Sequence, residues 1–385
     1  MQTLTSLKEM KPSYIREILQ VVSDSDVISF AGGLPSVDSF PMNMIESGLK
    51  AIARDKSLFQ YGTTHGYEPL IDVLNSQYDI DGTQEILITS GAQQAIDLCA
   101  RAFIEKRSNI VVESPCYLGA LQAFNLAGAN ILSVYQEIDG PNVEQLELLF
   151  KQNNITLFYA VPDFHNPTGC CWSLSKRRKV ASLCIKYDVL FVEDAPYRAL
   201  RFVGEELPTV TSFCKDHAIM LYSFSKFIAP ALRVGAMVFP QRYLADIHKL
   251  KQAMDLHTSV PMQELVTYVL KHDGFQKKLT KTKNLYYERY SVLKNELENM
   301  ALADCEFREV EGGMFIWLRV EGLNVVDFAQ KALSYGVAVV PGDEFYTHRC
   351  QYKKSAIRLN FTHNNTQGLI EGMKRIRLAM IDMQS

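Results

Sequence analysis

Lys226 closes the segment Ser223-Phe224-Ser225-Lys226 at the end of a β-rich run, and Arg233 follows seven residues later. In open α/β sheets, ligands collect outside the carboxyl ends of strands. An amine placed there and kept partly deprotonated can attack an aldehyde cofactor and form an imine. The hydroxyls of Ser223 and Ser225 and the guanidinium of Arg233 would offer a dianionic phosphate several donors and a fixed positive charge. A lysine after a strand is by itself more often a solvated surface residue, so other groups must agree with it.

Asp194 ends the apolar run VLFVED, and an acid in such a place must be paired or hydrogen-bonded if it is covered. Facing a pyridine nitrogen, it would keep the ring protonated and make it an electron sink, while the phenol of Tyr197, three residues on, could donate to a ring oxygen. The alternative is a plain N-cap aspartate. In PDFHNPTG, Asn166-Pro167 begins a sharp turn where a cis peptide is possible, and the Asn166 amide could reach the same ring oxygen. In TSGAQQAIDL, a strand passes through Ser90 and Gly91 into a helix, so the amides of Ala92 and Gln93 are free to receive a phosphate.

These groups need strands to carry them. From about residue 85 to 240, the runs EILITS, NIVVES, ILSVYQ, TLFYAVP, VLFVED, AIMLYSFS and VGAMVFP alternate with helical stretches, among them 92–103, 173–187 and 243–256. Most runs lack in–out alternation, as strands buried on both faces do, which predicts a three-layer, mostly parallel α/β sheet covered by helices. Beyond about residue 290, GGMFIWLRV, VVDFAQKALSYG, VAVVPG, SAIRLNFT and an amphipathic stretch over 366–383 predict a smaller α/β domain. The expected division is an N-terminal arm joined to the small domain over 1–48, a large domain over 49–285 and a C-terminal small domain over 286–385.

With 385 residues, the chain can bury more than one core. Its 22% charged residues and net charge of -3 speak against non-specific nucleic-acid binding. The opening MQTLTSLKEMKPSYIREILQ lacks the basic head and apolar run of a secretory signal, and no stretch approaches the roughly 20 apolar residues of a membrane span. Eight cysteines without metal-like spacing suggest reduced thiols, no metal site and a cytoplasmic protein; adjacent Cys170 and Cys171 are expected to be structural.

Taken in this order, FAGGLPSVDSFP, LFQYGTTHGYEPLI, SGAQQAIDL, ESPCYLGALQAF, PDFHNPTG, VEDAPYRAL, SFSKFIAPALRVG and SAIRLNFT resemble the fold-type I pyridoxal-phosphate aminotransferases, most nearly the 2-aminoadipate and kynurenine branch. The resemblance implies pyridoxal 5'-phosphate held as an imine by Lys226, which would also move the α-proton as general base. Asp194 would hold the ring nitrogen, Asn166 and Tyr197 the 3-oxygen, and Tyr117 would stack on the ring face. Ser223, Ser225, Arg233, Ala92 and Gln93 would take the phosphate. Tyr61 would reach the phosphate of a neighbouring subunit, which implies a homodimer with shared active sites. Arg358 would clamp the substrate α-carboxylate, Gly32 and Gly33 would allow close backbone approach, and Arg16 would meet a distal substrate carboxylate or else be a solvated helix residue. Ala92 replaces a frequent Ser or Thr, His165 a common Gln, Ala231 a usual Gly and Ala236 a frequent aromatic, changes that could accompany an altered substrate.

The expected reaction moves an amino group between an aromatic, aliphatic or 2-aminoadipate-like amino acid and a 2-oxo acid. Another carbanion reaction on the same cofactor, by a lyase or oxidase, is the alternative. A ligand-sensing regulator would need an attached DNA-binding module, for which a match starting near residue 10 leaves no room. A nicotinamide enzyme would need a G-x-G-x-x-G after its first strand, which the chain lacks.

Overall fold

The apolar runs become one eight-stranded sheet in the computed structural model, which describes residues 18, 26–78, 80–300, 305–347, 350 and 353–384. After the short strand β1 (Ile28–Ser29), its members are β2 (Gln84–Thr89), β3 (Asn109–Ser114), β4 (Asn130–Glu137), β5 (Gly140–Pro141), β6 (Ile155–Ala160), β7 (Leu190–Asp194), β8 (Ala218–Ser223) and β9 (Gly235–Pro240). Their spatial order is β2-β9-β8-β7-β6-β3-β4-β5. From β8 through β4 all neighbours are parallel, while β9 runs against both of its partners and β5 against β4.

Why the runs do not alternate is visible in the packing. In β3, Ile110 and Val112 enter one core and Val111 another; in β6, Leu157 and Tyr159 oppose Phe158; in β7, Leu190 and Val192 oppose Phe191. Strands β2, β8 and β9 divide in the same way, with Leu87, Ile219 and Met237 on one face and Ile88, Met220 and Val238 on the other. Both faces are dry, so every position favours an apolar residue.

Helices α1 (Met42–Ile52), α2 (Glu68–Tyr78), α3 (Ala92–Phe103), α4 (Leu118–Ala127), α5 (Val143–Gln152), α6 (Leu174–Tyr187), α7 (Leu244–Asp255) and α8 (Val260–Lys271) accompany this sheet. The 25-residue α9 (Phe275–Asn299) was not foreseen, because its composition is mostly polar. It survives as a helix because Tyr286, Tyr290, Leu293 and Leu297 recur at helical spacing and are buried. Residue 285, the expected domain boundary, lies inside it.

A second, antiparallel sheet has the order β10-β11-β14-β13, with β10 (Cys305–Phe307), β11 (Phe315–Val320), β13 (Val340–Pro341) and β14 (Ala356–Asn360). Helices α10 (Val325–Ser334) and α11 (Thr366–Gln384) belong to this part of the chain. The segment VAVVPG, expected as one strand, is divided: β12 (Val337–Ala338) pairs in parallel with β1, and β13 pairs with β14. Alternation reports which residues are buried but not which strand is the partner. This division has a consequence for the site. Phe30 N–H donates to Ala338 O and Asn360 N–H to Phe30 O, which carries Ala31 and Gly33 to the mouth of the large sheet.

Among the described residues, no helix is long and apolar enough to cross a membrane.

Candidate active site

Lys226 follows the carboxyl end of β8, partly buried, and its Nζ donates to Gly33 O at 2.9 Å. Burial, with the nearby cations Arg358 and Arg233, pushes the amine down to about 8, against a smaller opposing pull from Asp194. About a tenth of the amine is therefore neutral, and nucleophilic, at pH 7, and about half at pH 8. The surface-lysine alternative does not describe this environment.

Asp194 ends β7 and is 3% exposed, so burial pushes its carboxyl up to about 7. Tyr159, one strand over on β6 and facing the same core, donates its hydroxyl to Asp194 Oδ2 at 2.6 Å. No helix is capped by Asp194; the next turn begins at Arg198. Tyr159 was not foreseen, because within TLFYAVP it reads as one more apolar strand residue.

Asn166 binds two expected partners at once. Its Nδ2 donates to Tyr197 Oη at 3.3 Å, and its Oδ1 accepts from Arg358 Nη1 at 2.7 Å. The Asn166–Pro167 peptide is cis, as is Ser114–Pro115. Burial holds the Tyr197 phenol well above its ordinary range, so it is a hydroxyl donor at neutral pH. Behind Asn166, His165 Nε2 lies 3.6 Å from Glu113 Oε2, but this is not an ion pair. Burial pushes the imidazole down to about 3 and the carboxyl up to about 7, so the histidine is neutral and held by Thr168 Oγ1 at 3.0 Å.

The opposite end is shaped by backbone. Gly91 has φ +81° and α3 begins at Ala92, so the amides of Ala92 and Gln93 open that helix. Arg233, itself at φ +54°, donates from Nη2 to Ser90 O at 3.2 Å. A Cβ on Gly91 would stand 2.5 Å from Arg233 Nη2, so only glycine lets the guanidinium lie against this turn. Ser225 N–H donates to Ser223 Oγ at 3.3 Å, and Tyr117 Oη lies 3.4 Å from Gln93 Oε1. Beneath them the fully buried Lys251 ammonium donates to Gln94, Asp255 and Thr258, while Ser90 Oγ donates to Asp255 at 2.9 Å. This brace, drawn from α7 and the loop after it, was missed in the sequence; the Lys251–Asp255 spacing of four was its one signal.

Arg358 lies on β14, 1% exposed, with its guanidinium 4.4 Å from the Phe315 ring centroid and 5.1 Å from that of Phe345. Its Nη2 donates to Ala31 O. Burial lowers it to about 10, so the cation persists at neutral pH. Tyr61 is 80% exposed and touches His257 edge-on rather than any of these groups. Arg16 lies outside the described residues.

Six buried side-chain polar atoms find no hydrogen-bond partner among the described residues, and three belong here: Asp194 Oδ1, Ser225 Oγ and Arg358 Nε. Such atoms are costly unless a ligand satisfies them. A pyridinium N–H, a phosphate and a carboxylate are the complements they call for, so the residues fit pyridoxal phosphate and an amino acid.

Known proteins agree. The family model for aminotransferase class I and II matches residues 25–376. The aromatic-amino-acid aminotransferase 1 of Thermococcus litoralis is 34% identical, over 95% of this chain and 91% of the relative. The 2-aminoadipate transaminase of Thermus thermophilus is 32% identical, over 96% of this chain and 94% of the relative. The crystal structure of Pyrococcus horikoshii kynurenine aminotransferase, in complex with PMP, superposes with a TM-score of 0.94 at 34% identity, covering 100% of this chain and 98% of that one. The chain belongs to the class I and II aminotransferases, enzymes of the fold-type I architecture that work with pyridoxal phosphate.

Proposed function

We propose that this aminotransferase takes an aromatic or 2-aminoadipate-like amino acid as donor and a 2-oxo acid as acceptor. Support comes from the names of the relatives and from a site whose fixed charges suit an α-amino acid. When bound, pyridoxal phosphate supplies an aldehyde and a ring that disperses carbanion charge. Lys226 holds it and then carries the proton to and from the substrate α-carbon. Asp194 keeps the ring nitrogen protonated; Asn166 and Tyr197 hold the 3-oxygen; Tyr117 covers the ring face. Ser223, Ser225, Arg233 and the amides of Ala92 and Gln93 bind the phosphate. Arg358 takes the α-carboxylate against the backbone of Gly33, and Arg16 is assigned to a distal carboxylate.

The single observation that carries this reading is the convergence of Asp194 Oδ1, Ser225 Oγ and Arg358 Nε, all buried and unsatisfied, around Lys226. We assign the working form as a homodimer, in which the exposed Tyr61 serves the other subunit's phosphate site. With no disulfide among its eight cysteines, we place the enzyme in the cytoplasm. The large and small domains divide near α9. A panel of amino acids, each mixed with the loaded enzyme and followed by cofactor absorbance, identifies the donor. Lys226→Ala abolishes steady-state transfer; turnover at the wild-type rate would overturn the assignment.

A further inference from the structure

Away from Lys226, a cavity of about 260 Å³ lies between the ends of β3 and β4 on one side and the antiparallel sheet on the other. Its walls are aromatic, from Tyr135, Trp317 and Tyr346, and its charge is mostly positive, from Arg308, Arg319 and Lys354. Among the described lining residues the only acid is Glu306, which accepts from Arg319 Nη1 at 2.8 Å. Among the described residues the other two cations meet no carboxylate within salt-bridge distance. Arg308 donates to the Glu137 carbonyl at 2.7 Å, and Lys354 lies over the Tyr135 ring at 5.5 Å from its centroid. Arg319 Nε is buried and has no hydrogen-bond partner, the same mark that the cofactor-site residues carry. Lys354 is exposed and Arg308 and Arg319 are partly buried, so water screens part of their charge; the buried Arg319 Nε is the group that an entering anion would satisfy.

We infer that this cavity is a second ligand site, for a small planar dianion such as an aromatic dicarboxylate. The flat body would lie against Trp317 and the tyrosines, and the acidic groups would meet Arg308, Lys354 and Arg319 Nε. Such a ligand would tie the large domain to the small one. It would also bear on the wall behind the substrate clamp. Trp317 stands opposite Arg358 in the strand register and touches Phe345, whose ring lies against the Arg358 guanidinium. Occupancy should therefore act on the KM for the amino acid more than on kcat.

Isothermal titration of the loaded enzyme with isophthalate tests the site, with benzoate as the monoanionic comparison. One site per chain is expected, persisting in Arg358→Lys, weakened about tenfold or more in Arg308→Gln/Lys354→Gln, and weaker for benzoate. Glu306→Gln removes the opposing charge and frees Arg319, so it should tighten binding, a result that misfolding cannot imitate. Four results would overturn the proposal: no binding of isophthalate, binding indifferent to the Arg308 and Lys354 changes, no tightening in Glu306→Gln, or loss of the site in Arg358→Lys. The last would assign the heat to the substrate clamp.

Discussion

Tyr159→Phe removes one oxygen that touches neither substrate nor cofactor, yet it should move the pH dependence of the enzyme. In the wild-type site burial raises Asp194, while the Tyr159 hydroxyl, 2.6 Å from Asp194 Oδ2, and after it the charge of Lys226 oppose the rise and leave the carboxyl at about 7. A hydrogen bond to a charged group contributes about 1.5–3 kcal/mol. At about 1.4 kcal/mol per pH unit, its loss raises Asp194 by roughly one to two units. In the loaded enzyme a protonated ring nitrogen lowers both values together, so the difference between variant and wild type is the measured quantity. The assay is kcat/KM for the amino donor across pH, with the acid limb expected to shift to higher pH by that amount. The cofactor-free protein gives an independent reading. Because the folded carboxyl titrates above its unfolded value, stability falls as pH rises from about 4 to about 7, and in the variant the decline should extend further into the alkaline range. An acid limb that stays in place, or that moves to lower pH, refutes the assignment of Tyr159 as the positioning partner of Asp194.

Lys226, lowered to about 8 by burial and by Arg358 and Arg233, should make capture of pyridoxal phosphate by the apoenzyme accelerate with pH around a midpoint near 8. Arg358→Gln, which removes one of the cations that lower it, should raise that midpoint; stopped-flow absorbance measures both. Arg358→Lys keeps charge but loses the planar fork that meets Asn166 Oδ1 and Ala31 O, so KM for the amino acid should rise about ten- to a hundredfold in steady-state assays. Gly91→Ala puts a Cβ 2.5 Å from Arg233 Nη2 at φ +81°, and should cost about 1–2 kcal/mol in thermal unfolding while weakening cofactor retention in dialysis.

Much of the site was legible along the chain because strand-end chemistry is local. Lys226, Asp194, Asn166 and the Gly91 turn each follow an apolar run, and a strand that stops at a polar residue delivers it to the sheet's carboxyl edge. The helices over 92–103 and 174–187 were legible for a similar reason, since each begins at a turn or cap residue visible in sequence. The long α9 was not, because a mostly polar helix is held by a narrow buried stripe that its partners define.

The sequence by itself determined the layered α/β sheet and the polar residues, Lys226 and Asp194 among them, that its strands deliver to one edge, because burial on two faces and turn chemistry act over a few neighbouring residues. Only the tertiary structure decided which distant groups tune those residues. Tyr159 meets Asp194 because β6 and β7 are adjacent and in register. Gly33 and Ala31 reach Lys226 and Arg358 because β1 pairs with β12 at the other end of the chain. The lowered lysine, the raised aspartic acid and the cationic cavity beside Trp317 are sums of burial and charge across such contacts, and no local pattern encodes a sum over distant residues.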